Sequence, residues 1–190
     1  MSSVRSASAP IYFGSFLVTP QVFHQTAHSF ALVNLKPILP GHVLISPRRV
    51  VPRVSDLTPA ETSDLFLTVR RVGRMIERYY GAASLNIAVQ DGVHAGQSVP
   101  HVHAHIIPRK PADLDPMDAV YDMLDGEAGD VEKAFREAQT DCPSEHERTS
   151  TRSRSRFPAV DNEERKPRTA EEMKAEADGL RREMDKEPLD

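Results

Sequence analysis

Apolar and polar residues alternate with two different periods along this chain of 190 residues, and the change of period marks its elements. Up to Pro47 the pattern is one of short apolar runs broken by Pro and Gly. Ile11 to Val18 and Val22 to Gln25, divided by Pro20, read as short strands. Ser29 to Leu35 is apolar apart from Asn34 and reads as a buried strand. The turn from Lys36 to Gly41, with two prolines and a glycine, leads into His42 to Ser46, the next strand. Adjacent strands with short turns predict an antiparallel meander. From Thr58 the period lengthens. Thr58 is a fitting N-cap, Pro59 suits the first helical position and Glu61 completes a capping box. Leu65, Val69, Val72, Ile76 and Tyr79 then form one stripe of a long helix that Gly81 ends. Arg70, Arg71, Arg74 and Arg78 lie off the stripe and read as a solvated face. Ser84 to Gln90 returns to strand character, and Asp91-Gly92 with Gly96 makes a polar loop.

The run from Gln97 to Arg109 carries the chemistry. Imidazoles at His101, His103 and His105 alternate with Val102, Ala104 and Ile106, so a strand places the three histidines on one face. Pro100 and Pro108 bracket the run. Burying three unpaired imidazoles is costly, and histidine titrates near neutral pH, so this face reads as a site. Zinc often takes three His ligands. Imidazoles at i, i+2 and i+4 of an unbent strand, however, stand about 6–7 Å apart from one to the next, and no Cys, Asp or Glu lies within the motif. A central nucleophilic imidazole with flanking partners fits better, and no metal ligands are assigned.

Past Arg109 the pattern dissolves. Asp115 to Leu124 reads as a helical turn around Tyr121. Residues 126–168 show no sustained period, and the Thr151 to Arg156 tract reads as low-complexity linker. Thr169 and Glu172 form a second capping box, and Met173, Ala177, Leu180 and Met184 share one stripe, predicting a C-terminal helix that packs on the body or a partner. The resulting division is a flexible N-terminus over 1–10, a domain over 11–125, a disordered charged insertion over 126–168, and a helix with its tail over 169–190. The net charge of −4 is concentrated in the densely charged tail, so no basic surface for nucleic acid is expected. The single cysteine, Cys142, fits a reducing compartment, and no apolar run reaches membrane-spanning length. The expected location is cytoplasmic, in a chain small enough to enter the nucleus.

His101-Val102-His103-Ala104-His105-Ile106-Ile107 resembles the signature of the histidine triad (HIT) superfamily. The flanking pieces Ser29 to Asn34, Lys36-Pro37, Pro40 to Leu44, Gln90 to Gly92, Ala95 to Gln97 and Pro108 to Lys110 are similar to the fragile histidine triad branch, the dinucleoside triphosphatases. The resemblance implies an α+β fold, with an antiparallel meander sheet shaped as a half-barrel, one long helix and a C-terminal helix. It also implies hydrolysis of diadenosine triphosphate to AMP and ADP through a nucleotidyl-histidine on His103. His101 and His105 are implied to contact phosphate or orient His103, with His42 behind them. Gln90 is implied on the α-phosphate, and Gly96, Gln97, Ser98 and Val99 along the polyphosphate. Asn34 falls on the ribose, and Phe13, Val18, Leu32 and Leu44 around the base. No tightly bound cofactor is implied, the nucleotide substrate entering with Mg2+ or Mn2+, and the protein is implied to be a homodimer. Phe16 departs from the family pattern, standing where the better-known relatives carry a histidine near the nucleotide, and the segment from about 126 to 167 is longer than in the compact relatives. Tyr121 aligns with a phosphorylatable tyrosine of relatives. A phosphoramidase, an adenylyl sulfate or tetraphosphate hydrolase, and a dinucleotide-sensing module are the alternatives.

Overall fold

The computed structural model describes residues 9–126, 130–139 and 167–188. Readings that fall on 1–8, 127–129, 140–166 and 189–190, among them Cys142 and the Arg-Ser tract, lie outside the described residues. The stretch from Ile11 to Val18 is not one strand but a tight hairpin of β1 (Tyr12–Phe13) and β2 (Phe16–Leu17). Gly14 forms its tip at φ +58°, a conformation glycine adopts without penalty.

β3 (Val22–Gln25), β4 (Ser29–Val33) and β5 (Val43–Pro47) make the expected meander. α1 (Pro59–Tyr80) begins with the predicted capping box and ends at Gly81 in the left-handed conformation. β6 (Ser84–Val89) follows, and β7 (Ala104–Arg109) completes a five-stranded antiparallel sheet in the order β3-β4-β5-β7-β6. The meander therefore stops at β5. α1 crosses one face of the sheet and delivers β6 beyond a vacant slot, and β7 fills that slot antiparallel to both neighbours. Nor do the two prolines bracket a strand. Pro108 lies within β7 opposite Leu85, past the end of the β5 pairing at Ile106, so its missing N–H forfeits no bond to β5.

The helix stripe holds at Leu65, Val69, Val72 and Ile76 but fails at Tyr79, which is 47% exposed. Tyr80 packs inward instead. It lies over Gly41, where a Cβ would sit 2.7 Å from its ring, and its hydroxyl donates to Glu176 (2.7 Å). The arginines are not simply a solvated face either. Arg74 Nε donates to Glu187 (3.1 Å), Arg78 pairs with Glu183 (3.0 Å) and Glu187 (3.2 Å), and Arg71 donates to the Glu187 carbonyl (3.0 Å).

The chain continues through α2 (Ala119–Asp125), where a helical turn was expected, and α3 (Val131–Gln139). α3 contradicts the reading of 126–168 as wholly without regular structure. It is short, but Asp130 accepts the Lys133 N–H (2.9 Å) at its start, and Val131, Ala134 and Phe135 are buried on one side. Four apolar residues in nine, three of them small or β-branched, give too brief a stripe to stand out in the sequence. α4 (Ala170–Met184) has the predicted Thr169–Glu172 capping box and buries Met173, Ala177, Leu180 and Met184. It packs on β3, the turn at Thr19–Gln21 and α1. No helix among the described residues is long and apolar enough to cross a membrane.

Because Leu180 is fully buried, Leu180→Ala is expected to lower stability by about 2–5 kcal/mol. The exposed Lys174→Ala should cost under about 0.5 kcal/mol. Chemical denaturation of both variants checks whether α4 is part of the core.

Candidate active site

Only His105 of the three histidines lies in β7; His101 and His103 sit in the segment that approaches it. That segment is fixed by two bonds at Val102. Its N–H donates to the Val51 carbonyl (2.8 Å), and its carbonyl accepts from Ser46 Oγ (2.7 Å). All three imidazoles and His42 are no more than 1% exposed. A buried ring nitrogen that faces an N–H must carry the lone pair, and one that faces a carbonyl must carry the proton. The surrounding backbone therefore dictates three of the tautomers, and His42 passes its own on to His105.

His101 Nδ1 accepts from Gly14 N–H (3.0 Å), so its Nε2 bears the proton and donates to the Pro47 carbonyl (2.8 Å). His103 is reversed. Its Nδ1 lies 2.8 Å from the His101 carbonyl and must donate, which leaves the lone pair on Nε2. His42 Nδ1 accepts from Ile38 N–H (3.1 Å), so His42 Nε2 donates to His105 Nδ1 (2.9 Å). His105 is thereby left with its proton on Nε2, the one ring nitrogen among the four histidines that is buried without a hydrogen-bond partner. The site thus presents a lone pair on His103 and an N–H on His105, on rings whose centroids are 4.9 Å apart. The triad thus leaves one ring lone pair, on His103 Nε2, without a donor.

Burial holds all three rings neutral by penalising the charged form. It lowers His101 to about 4, against a smaller opposing pull from the Pro47 carbonyl. Burial also lowers His103, with the His101 carbonyl partly opposing it. His105 is pushed well below its ordinary value by burial first, then by His103 and His42.

The other expected residues divide. Phe13 is stacked on His101 (5.5 Å between centroids) and meets His103 edge-on (5.1 Å). With Val18, Leu32 and Leu44 it is fully buried. Leu44 is the register partner of His105, so these four residues line the core beside the triad. Asn34 lies against His42, its Nδ2 3.3 Å from His42 Nε2, while its Oδ1 accepts the Lys36 N–H (3.0 Å). The Gln90 amide turns toward the Leu124 carbonyl (3.3 Å) and Asp125 (3.4 Å). Gly96 lies beneath it, where a Cβ would come within 2.4 Å of that amide nitrogen.

Gln97, expected with its neighbours to turn backbone and side-chain donors along the polyphosphate, here bonds backbone with its side chain. It accepts from Gly92 N–H and donates to the Pro52 carbonyl, both at 2.8 Å. Ser98 Oγ faces Glu132 N–H of α3 (3.5 Å), and Val99 is buried against Gly14. Of the two roles expected for His101, contact with phosphate or orientation of His103, its bonds fit the second: both ring nitrogens are bonded to the protein, and its carbonyl accepts from His103 Nδ1. Gly14, Ile38 and Pro47 were not anticipated, because they act through backbone atoms. Only Gly14, a glycine within an apolar run, carried a signal of close backbone approach.

A family model described as HIT domain matches residues 17–112. The bis(5'-nucleosyl)-tetraphosphatase [asymmetrical] of Schizosaccharomyces pombe is 50% identical over 171 residues, 90% of this chain and 92% of the relative. The bifunctional bis(5'-adenosyl)-triphosphatase/adenylylsulfatase FHIT of Arabidopsis thaliana is 53% identical over 126 residues, 66% of this chain and 68% of the relative. Among solved structures, the Plasmodium falciparum diadenosine triphosphate hydrolase, in complex with cyclomarin A, superposes with a TM-score of 0.55. It is 32% identical, and the match covers 70% of this chain and 88% of that one. The Caenorhabditis elegans NitFhit protein gives 0.56 at 43% identity over 70% of this chain, which spans only 31% of that longer protein.

Two outcomes are expected. Long-range proton–nitrogen NMR at neutral pH should show His103 protonated on Nδ1 and His42, His101 and His105 on Nε2; any other assignment breaks the chain of donors. A histidine whose folded value lies below its unfolded one contributes stability that is present above the unfolded value and is lost as pH falls toward the folded one. With His101 at about 4 and an unfolded value near 6.5, that site alone should remove about 2 kcal/mol between pH 7 and pH 5. Denaturant midpoints at the two pH values check it.

Proposed function

The chain belongs to the HIT domain family, and on that premise we propose that it hydrolyses dinucleoside polyphosphates, diadenosine triphosphate being cleaved to AMP and ADP. The names of its relatives support this activity: tetraphosphatase, triphosphatase and adenylylsulfatase. The observation that carries the chemistry is the pairing of a free lone pair on His103 Nε2 with an unpartnered N–H on His105 Nε2.

In this reading His103 Nε2 attacks the α-phosphorus. The P–N bond forms as the bond to the bridging oxygen breaks, and ADP departs. His103 gains positive charge in the adduct, and its Nδ1–H remains on the His101 carbonyl, which favours the cation. His105 Nε2–H donates to a phosphoryl oxygen as negative charge develops there. Water then attacks phosphorus, the P–N bond breaks, the electron pair returns to Nε2, and AMP leaves with the water's oxygen as a proton is released. The polyphosphate enters as its magnesium or manganese complex, so the metal belongs to the substrate. The tetraphosphate is the second reading, favoured by the S. pombe relative, which aligns over 90% of the chain.

We also propose a homodimer through β6. One edge of the sheet, β3, is covered by α4, whereas β6 ends the other. A groove of about 660 Å³ beside it is lined by Leu85, Asn86, Arg109, Met117 and Tyr121. Ile87 is half-exposed on the same strand, and unpaired strand edges favour pairing.

Product analysis on diadenosine triphosphate, diadenosine tetraphosphate and adenosine phosphoramidate, with His103→Asn alongside, tests the reading. AMP plus ADP from the triphosphate, reduced by at least about 10³-fold in the variant, is the expected result. Preference for the tetraphosphate supports the second reading. Cleavage of the phosphoramidate alone, or turnover that survives His103→Asn, overturns the proposal.

A further inference from the structure

β4 and β5 end their pairing at Val33 and Val43, so the turn from Asn34 to His42 lies beyond the last rung of the ladder. Main-chain carbonyls there need other donors. The first two in the turn are served by one residue 134 positions from Asn34. Arg168 donates from its backbone N–H to the Leu35 carbonyl (3.0 Å), and from Nε (3.1 Å) and Nη2 to the Asn34 carbonyl. Its remaining nitrogen, Nη1, binds Glu176 of α4.

Glu176 extends the hold to the other end of the turn. Its second oxygen accepts from Tyr80 (2.7 Å), whose ring lies over Gly41, the residue before His42. Between these ends, Asn34 Nδ2 stands 3.3 and 3.5 Å from the two ring nitrogens of His42. Those nitrogens are engaged with Ile38 and His105, so the amide packs against the ring rather than bonding to it. The backbone that Arg168 holds therefore carries the side chain that backs His42, and the backbone under Tyr80 leads directly into His42.

These contacts are not what docks α4. Met173, Ala177, Leu180 and Met184 are buried along the helix, and Glu183 and Glu187 pair with arginines of α1. Arg168 precedes the helix, and its planar guanidinium spans a carbonyl and a carboxylate at once, a fork that lysine cannot reproduce.

We propose that Arg168 is a positioning residue for the reaction, clamping both ends of the turn so that His42 keeps His105 in place at the phosphoryl oxygen it serves. The inference rests on the hydrolase reading for the reaction, but not for the clamp on His42.

In the full chain, Arg168→Met should lower kcat on diadenosine triphosphate about tenfold with KM within about twofold, because the displaced group acts in the transition state. Exchange of the His42 Nε2 proton with solvent, followed by NMR, should quicken about tenfold, and Arg168→Lys should recover part of both losses. Leu180→Ala is the control for stability, since it removes core from α4 but leaves the turn its donors; its kcat should stay within about twofold under conditions where it is folded. Glu176→Gln, which keeps one acceptor oxygen in place of two, is a second route should Arg168→Met fold poorly, with kcat lowered about threefold. Unchanged kcat in both clamp variants, an equal loss in Leu180→Ala, or a loss confined to KM overturns the assignment. So does wild-type exchange at His42 in both clamp variants. Faster exchange in a chain that turns over no dinucleotide would uphold the clamp and defeat the hydrolase reading, so the two fail separately.

Discussion

Everything at this site follows from placing four imidazoles where water cannot satisfy them. A buried ring nitrogen needs a partner or carries a penalty, and the fold provides partners from the backbone: Gly14 and Ile38 N–H groups, Pro47 and His101 carbonyls. Each bond also chooses a tautomer, and the choices propagate. His42 is set by Ile38, and His105 is set by His42. The one nitrogen left with a lone pair and the one left with an unpartnered proton are therefore consequences of main-chain geometry, not of the side chains alone. Desolvation adds the second condition, neutrality at physiological pH.

Much of this was legible in the sequence. The caps of α1 and α4 follow from Thr58, Glu61, Thr169 and Glu172, because capping is local chemistry. The histidine alternation located the site. The pairing of β7 between β5 and β6 was not legible, since strand order depends on where a helix lands. Nor was the division of labour among the histidines. Alternation makes them equivalent, whereas the backbone partners that distinguish them come from residues up to 87 positions away. Gln97 shows the same limit, since nothing local marks the bond from its side chain to the Pro52 carbonyl, 45 positions away.

The hairpin at the start of the fold and the helix after residue 130 meet at an aromatic contact. Phe16 of β2 and Phe135 of α3 are stacked. An apolar ring at position 16 gives α3 something to rest on.

The tie between the two ends of the fold has a practical consequence. The recognised family segment stops at residue 112, but the fold does not. Arg168 binds the Asn34 carbonyl and Glu176, and Glu176 accepts from Tyr80 over Gly41, next to His42. A recombinant fragment trimmed to the recognised segment would uncover Val22 and Phe23, strand three arginines of α1 without their acceptors, and loosen the turn that carries His42. Insolubility of such a fragment would report the missing α4, not a defect in catalysis.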